Sequence, residues 1–506
     1  LFESQGTQSG LRYGQLFAQL SRRQVFFLAA VLSGLLSRIG ILWPGYTSDD
    51  YYYALAQPDY SWRSIHQGRF FAPYVSKLLV DSGFSQPGIQ LPLFLLSLFF
   101  LAALVSKAMD LSLLPQRGKL LGAAAAAVCA AYPYLSSYYL FRMVILDQII
   151  VYMIVLWALM LVSTTRWRFG PKVVLTSLLV GLGCGQNQLV FILYAIIALA
   201  YTARQFIEYI ATSEGGARRM GRLELKQLSL VPATLFGALL IYFPLIKLVQ
   251  HVTGISGEKS YSLMQGNGPL SIFGADLNLI ADMMGRAEPI MPLYMKVLLL
   301  VAIALVLAIA ASRSLLATAA IIAYGVVGLA IGAAPLAVGS GGQVARILMG
   351  AGFAIALVLS LGANFVDRPK WPAILLAMLT LLYAGAGATM FFQQHLLANW
   401  DRQKAYNIYL DASREFELTP KTRMNLINGS RVVGAGLSTE QGNDYGVNES
   451  VLRSDWDYAY SGLFRVSTGY ILDVRSGPPA ACAGKPRWPR SGAIFSPSKD
   501  VVDVCL

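Results

Sequence analysis

Two adjacent carboxylates, Asp49 and Asp50, follow the first long apolar run of this chain (24–43) after a short Pro44-Gly45-Tyr46-Thr47-Ser48 link. Neighbouring carboxylates on a loop point in different directions. One can take a proton from a hydroxyl while the other holds the loop or a substrate group, and a base of this kind needs only hydrogen-bond reach. The competing reading is structural: Thr47-Ser48-Asp49-Asp50 has the residue types that cap a following helix, 51–56. The two roles can coexist.

Other groups able to do chemistry follow in order. Tyr51, Tyr52, Tyr53, Tyr60 and Trp62 can stack on sugar rings, although their composition fits an interfacial aromatic belt better. His66-Gln67-Gly68-Arg69 precedes an amphipathic stretch, 71–80, suited to lying on a membrane surface. Arg69 would then sit at headgroup height, where its fork of donors suits a phosphate, of a lipid-linked substrate or of an ordinary headgroup. Arg142 and Asp147 lie in an apolar segment, where ionisable groups face a cavity or a partner; Arg38 and Arg346 are placed alike. Gln186-Asn187-Gln188 forms a polar tip between two apolar runs: amides for sugar hydroxyls, or an ordinary turn. His66, His251 and His395 lack the spacing of metal ligands. Gly339-Ser340-Gly341-Gly342-Gln343 lacks the lysine and the strand of a nucleotide-binding loop, and no such motif occurs elsewhere.

The elements that must position these residues are membrane helices. The chain has 506 residues, 56% hydrophobic and 13% charged, against roughly 25% charged in soluble domains. About eleven spans are predicted: 24–43, 89–108, 120–135, 140–162, 172–185, 188–203, 228–250, 291–312, 315–334, 344–362 and 371–393. The fifth and sixth are short and read alternatively as one kinked helix, which would invert everything after them. The net charge of +13 collects in alternate loops, at Arg22, Arg23, Lys107, Lys119, Arg166, Arg204, Arg313 and Lys370. These fall on one side only with eleven spans, which predicts a cytoplasmic N-terminus and places loops 44–88 and 251–290 outside. With no basic-aromatic module in the sequence, the charge does not point to nucleic acid.

Three regions result: a polar cytosolic tail (1–23), a membrane domain (24–393) and an extracytoplasmic α/β region (394–506). In the last, 399–416 reads as an amphipathic helix, and 423–433 and 469–474 read as strands. Cys129 and Cys184 fall in apolar segments. Cys482 and Cys505 fall in the C-terminal region, where an oxidising compartment permits a disulfide between them.

The ordered set (Asp49-Asp50 after the first span, Gly68-Arg69 before an amphipathic stretch, the Arg142/Asp147 span, the Gln186–Gln188 tip) resembles the GtrII-type membrane glucosyltransferases of the GT-C class, which modify bacterial O-antigen. The resemblance covers most of the membrane part and is looser in the C-terminal region. It implies an inner-membrane inverting transferase whose donor is a sugar on polyprenyl phosphate, with undecaprenyl-phosphate glucose the first choice. It also implies no cofactor and no metal requirement. Asp49 or Asp50 would be the base, and Arg69, Arg142 and Arg346, in that order, would stabilise the leaving phosphate. Partners would be the lipid-linked donor, a glycan or lipid-linked acceptor and membrane lipid, with a cytoplasmic polyprenyl-phosphate glucosyltransferase and a flippase upstream. The Tyr-rich stretch after Asp50, where a basic residue is expected, leaves a pentosyl transferase acting on lipid or protein as an alternative. A transporter or flippase of lipid-linked glycans is the other. It would carry polar residues near the bilayer midplane on several spans, whereas most ionisable groups here lie towards the outer ends.

Overall fold

The computed structural model describes residues 20–43, 45–47, 50–51, 65, 68–81, 90–115, 118–142, 145–164, 167–212, 222–255, 291–338, 348–427, 450–452 and 457–506. Each of the eleven apolar segments forms a helix. They are Arg22–Arg38, Gln90–Ser112, Lys119–Ala131, Ile145–Ser163, Phe169–Cys184, Leu189–Thr212, Arg222–Thr253, Leu293–Arg313, Leu315–Val338, Met349–Ala363 and Lys370–Glu415. Eight are long and apolar enough to cross a membrane, and Lys119–Ala131, Phe169–Cys184 and Met349–Ala363 are shorter. The fifth and sixth are separate helices broken at Gly185–Gln188.

Small residues set the packing. Lys119–Ala131 is an alanine-rich helix with most of its side chains buried, and it packs against Arg22–Arg38, Met349–Ala363 and Lys370–Glu415. Close approach of this kind is how helices associate where lipid supplies no hydrophobic drive. Met349–Ala363 is buried along its whole length, while Leu28, Leu32, Phe236, Leu240 and Leu300 on other helices point outwards, as lipid-facing residues do.

The two ends of the bundle differ in chemistry. At one end Arg22 and Arg23 both pair with Asp110, Lys107 donates to Ser163, Lys119 donates to the Leu20 carbonyl, and Arg313 pairs with Asp367. The opposite end carries Asp50, Arg142, Asp147 and the Gln186–Gln188 turn.

The last membrane helix does not stop at the boundary expected near 394. Lys370–Glu415 is continuous over 46 residues, about 69 Å at 1.5 Å per residue, more than twice a hydrocarbon core of roughly 30 Å. Its projecting half carries a separate α/β unit. The sheet has the order β2-β1-β4-β3, with β1 Arg423–Ile427, β2 Asp473–Ser476, β3 Ile494–Ser498 and β4 Val501–Cys505. β1 is parallel to both β2 and β4, and β3 is antiparallel to β4. A helix absent from the sequence reading, Asp457–Thr468, buries Ala459, Tyr460, Leu463 and Phe464 and packs against Lys370–Glu415. Cys482 and Cys505 form a disulfide that ties the end of β4 to the Pro479–Cys482 turn.

Candidate functional site

The acidic loop is held from several sides. After the first span and its 3-10 extension Ile39–Leu42, the chain turns at Gly45–Thr47. Asp50 Oδ2 accepts from the Thr47 backbone N–H at 3.0 Å and from Thr47 Oγ1 at 3.1 Å, and the Asp50 N–H donates to Thr47 Oγ1 at 3.4 Å. This reciprocal arrangement is a capping box with aspartate in the third position. The Tyr51 N–H closes the first turn on the Thr47 carbonyl. Asp50 is buried, at 4% exposure.

Arg142, in the segment leading into Ile145–Ser163, clamps the same turn. Its Nε donates to the Gly45 carbonyl at 3.1 Å, and its Nη2 donates to the carbonyls of Ile41, at 3.0 Å, and Trp43. The guanidinium is buried and attracts the Asp50 carboxylate through space. From the long C-terminal helix, Gln394 Nε2 donates to the Tyr46 carbonyl at 2.7 Å, and Arg402 lies over the Tyr46 ring at 5.5 Å. The Tyr51 hydroxyl donates to the Ala398 carbonyl at 3.4 Å. Burial pushes the Tyr51 phenol well above its ordinary range, with the nearby Asp401 adding to the effect, so it stays a neutral donor. The sequence reading put Tyr51 in an interfacial aromatic belt. It is instead fully buried among residues of the C-terminal unit, because that unit folds over the loop.

A second cluster forms at the polar tip. Gly68, with φ of +80°, turns the chain so that its carbonyl accepts from the Tyr242 hydroxyl at 3.3 Å. A Cβ there would press on that hydroxyl at 2.5 Å and on Gln188 Nε2 at 3.1 Å, so glycine is required by both conformation and space. Gln188 Nε2 donates to the Tyr242 hydroxyl at 3.1 Å, and Arg69 Nε donates to Gln188 Oε1 at 3.4 Å. The Phe71 N–H donates to the Gly185 carbonyl at 2.8 Å, and the Phe70 ring lies where a Cβ on Gly185 would be. From Phe71 the chain enters helix Ala72–Asp81, which leaves Phe71, Tyr74 and Leu78 exposed.

Asp147, in the first turn of Ile145–Ser163, accepts from Gln186 Nε2 at 2.8 Å and from Asn187 Nδ2 at 2.5 Å. Asn187 Oδ1 in turn accepts from the Leu189 N–H at 3.0 Å, capping the sixth span. The Arg69 guanidinium attracts the Asp147 carboxylate through space. A carboxylate, an arginine and buried amides thus converge where the turn at Gly68 meets the turn at Gly185–Gln188.

The expected residues therefore fall into two groups at one end of the bundle: Asp50 with Arg142, and Arg69 with Asp147, Gln186 and Gln188. Asp49, Tyr53, His66 and Arg346 lie outside the described residues. Arg38 is enclosed in the bundle. Its Nη1 donates to the Gly34 and Ala130 carbonyls and to Ser37 Oγ, and its guanidinium lies over the Tyr139 ring at 4.5 Å. Tyr46, Tyr242 and Gln394 complete the two clusters and were not singled out in the sequence. Tyr242 and Gln394 sit within or at the edge of long apolar runs, and only a polar side chain in such a run could have marked them.

No curated protein matches the chain. The sequence model of a family described as Glucosyl transferase GtrII matches residues 46–387, well over half of the chain, beginning in the acidic loop and ending short of Gln394.

Proposed function

This chain belongs to the GtrII glucosyl transferase family, and we propose that it moves glucose from a polyprenyl phosphate carrier to an extracytoplasmic glycan such as O-antigen or another surface polymer. The observation that supports this reading most is the gathering of Asp50, Arg142, Arg69, Asp147, Gln186 and Gln188 at the end of the bundle opposite the basic cluster of Arg22, Arg23, Lys107 and Lys119. Basic ends of membrane bundles face the cytoplasm. The site then opens on the outer side of the bacterial inner membrane, where a lipid-linked sugar is the available activated donor.

In the proposed reaction an aspartate of the loop takes the proton of an acceptor hydroxyl. The hydroxyl oxygen attacks the anomeric carbon in one step with inversion, the bond from that carbon to the phosphate oxygen breaks, and the phosphate leaves with the electron pair. Asp50 bonds Thr47 and lies in the field of Arg142, which supports a holding role for it; the base of the proposed reaction is Asp49. Arg69 is the leading candidate to stabilise the departing phosphate, a form of charge stabilisation that counts among the largest catalytic terms; Arg346 is the second. Arg142 spends two of its nitrogens on backbone carbonyls and acts chiefly on the loop. Gln186 and Gln188 offer amides to sugar hydroxyls.

The test is glucosyl transfer by the purified full chain in detergent, from short-chain polyprenyl-phosphate glucose, with EDTA present. Release of polyprenyl phosphate with an inverted anomeric product supports the reading. Absence of turnover from any polyprenyl-linked sugar by folded protein contradicts it.

A further inference from the structure

The C-terminal unit lies beyond the residues matched by the family, and its core contains part of the acidic loop. Tyr46 and Tyr51 are buried in the same apolar cluster as Met424, Leu426, Leu463 and Val504. We propose that this unit positions the acidic loop for transfer, and that Gly462 is the positioning residue through which it does so.

Gly462 lies on the buried face of helix Asp457–Thr468, and a Cβ there would land on the Tyr51 carbonyl oxygen, with the Tyr51 carbonyl carbon 2.6 Å and its Cα 3.3 Å away. The obstruction is backbone, so no side-chain rotation relieves it. Tyr51 is the residue after Asp50, and its N–H completes the turn that Thr47 and Asp50 close. Pushing Tyr51 therefore strains the turn that holds the Asp50 carboxylate. The rest of the unit is seated to resist that push. Asp401 on the projecting helix accepts from Ser450 Oγ at 2.7 Å and from the Val451 N–H at 2.8 Å, and the Tyr51 hydroxyl bonds the same helix at Ala398. The loop is thus gripped between Arg142 and Gln394 on the membrane side and Gly462 on the other. A displacement of about 1 Å at a reacting group can reduce a rate roughly hundredfold.

The kinetic consequence rests on the proposed transfer; the contact itself does not. The experiment compares Gly462→Ala, Tyr51→Phe and Ser461→Ala in the full chain by hydrogen exchange over residues 46–51 and by transfer kinetics against pH. Ser461, next to Gly462 on the helix, exchanges hydrogen bonds with the Val474 backbone in β2 and serves as the control. Gly462→Ala is expected to speed exchange in 46–51 and lower kcat about tenfold to hundredfold, with donor KM within about twofold. It is also expected to move the acidic limb of the pH–rate profile, which a mere loss of folded protein lowers without moving. Tyr51→Phe is expected to do the same more weakly, and Ser461→Ala to leave 46–51 protected. Unchanged exchange in Gly462→Ala overturns the proposal, as does an equal loss in Gly462→Ala and Ser461→Ala with the pH limb in place. If Gly462→Ala does not fold, unchanged exchange and kcat in Tyr51→Phe overturn it. If the wild type transfers nothing, the exchange result still decides the contact, and the failure belongs to the proposed reaction.

Discussion

Thr47 and Asp50 hold each other in both directions: the Asp50 carboxylate accepts from the Thr47 N–H and hydroxyl, and that hydroxyl accepts from the Asp50 N–H. The two residues therefore close a turn on each other. Thr47→Val removes the hydroxyl and keeps the shape. A capping interaction is worth about 1 kcal/mol, so transfer is expected to fall about fivefold in Thr47→Val and to recover largely in Thr47→Ser. Donor binding, measured separately, is expected to stay unchanged in both.

Arg142 reaches three carbonyls of the turn with one planar fork. Lysine keeps the charge and loses the fork. With about 1.5–3 kcal/mol for each hydrogen bond to a charged group, Arg142→Lys is expected to lower both the thermal stability of the detergent-solubilised protein and its turnover. The turnover loss is expected to exceed that of Thr47→Val. Equal stability and activity in Arg142→Lys would show that the clamp is dispensable.

Asp147 faces two amide NH2 groups and accepts from both. An asparagine in its place would turn an NH2 towards one of them and leave a buried donor unsatisfied, at a cost of about 1–3 kcal/mol. Asp147→Asn is therefore expected to weaken donor binding about fivefold or more through the Gln186–Gln188 tip. Arg69→Gln is expected to weaken it further and to lower kcat as well. Titration of each variant with a non-hydrolysable polyprenyl phosphonate sugar measures the difference.

The disulfide Cys482–Cys505 closes a loop with a sequence separation of 23, worth about 3 kcal/mol on the chain-entropy scale. A reductant is expected to make the C-terminal sheet sensitive to limited proteolysis while the helical content of the bundle stays constant. If the sheet resists protease as well after reduction as before, the bridge contributes nothing to its stability.

Much of this architecture is legible in the sequence because lipid imposes a length and a composition on every span. All eleven apolar segments are helices, and the alternation of basic loops puts loop 44–88, with Arg69, on the side away from the basic residues. The continuity of Lys370–Glu415 was less legible. The composition changes near Gln394 and suggests an end, but residues 394–415 contain no Gly or Pro, so nothing stops the helix as it leaves the apolar stretch. β3 and β4 are five residues each, and β3 carries serine and proline, so neither shows a strong alternating pattern. Tyr51 looks like an interfacial aromatic because its burial depends on residues several hundred positions away. Gly462 gives no local signal at all: what makes it necessary is the Tyr51 carbonyl.

The most direct measurement of the central claim compares wild type, Asp49→Asn and Asp50→Asn in transfer from short-chain polyprenyl-phosphate glucose, with EDTA present and donor binding measured in parallel. Asp49→Asn is expected to bind donor normally and to lose transfer by at least about a hundredfold, within the range of 10²–10⁴ for a lost general base. Asp50→Asn, which keeps an oxygen for Thr47, is expected to retain partial activity. Full transfer by both asparagine variants would contradict the assignment of the acidic loop as the reacting centre.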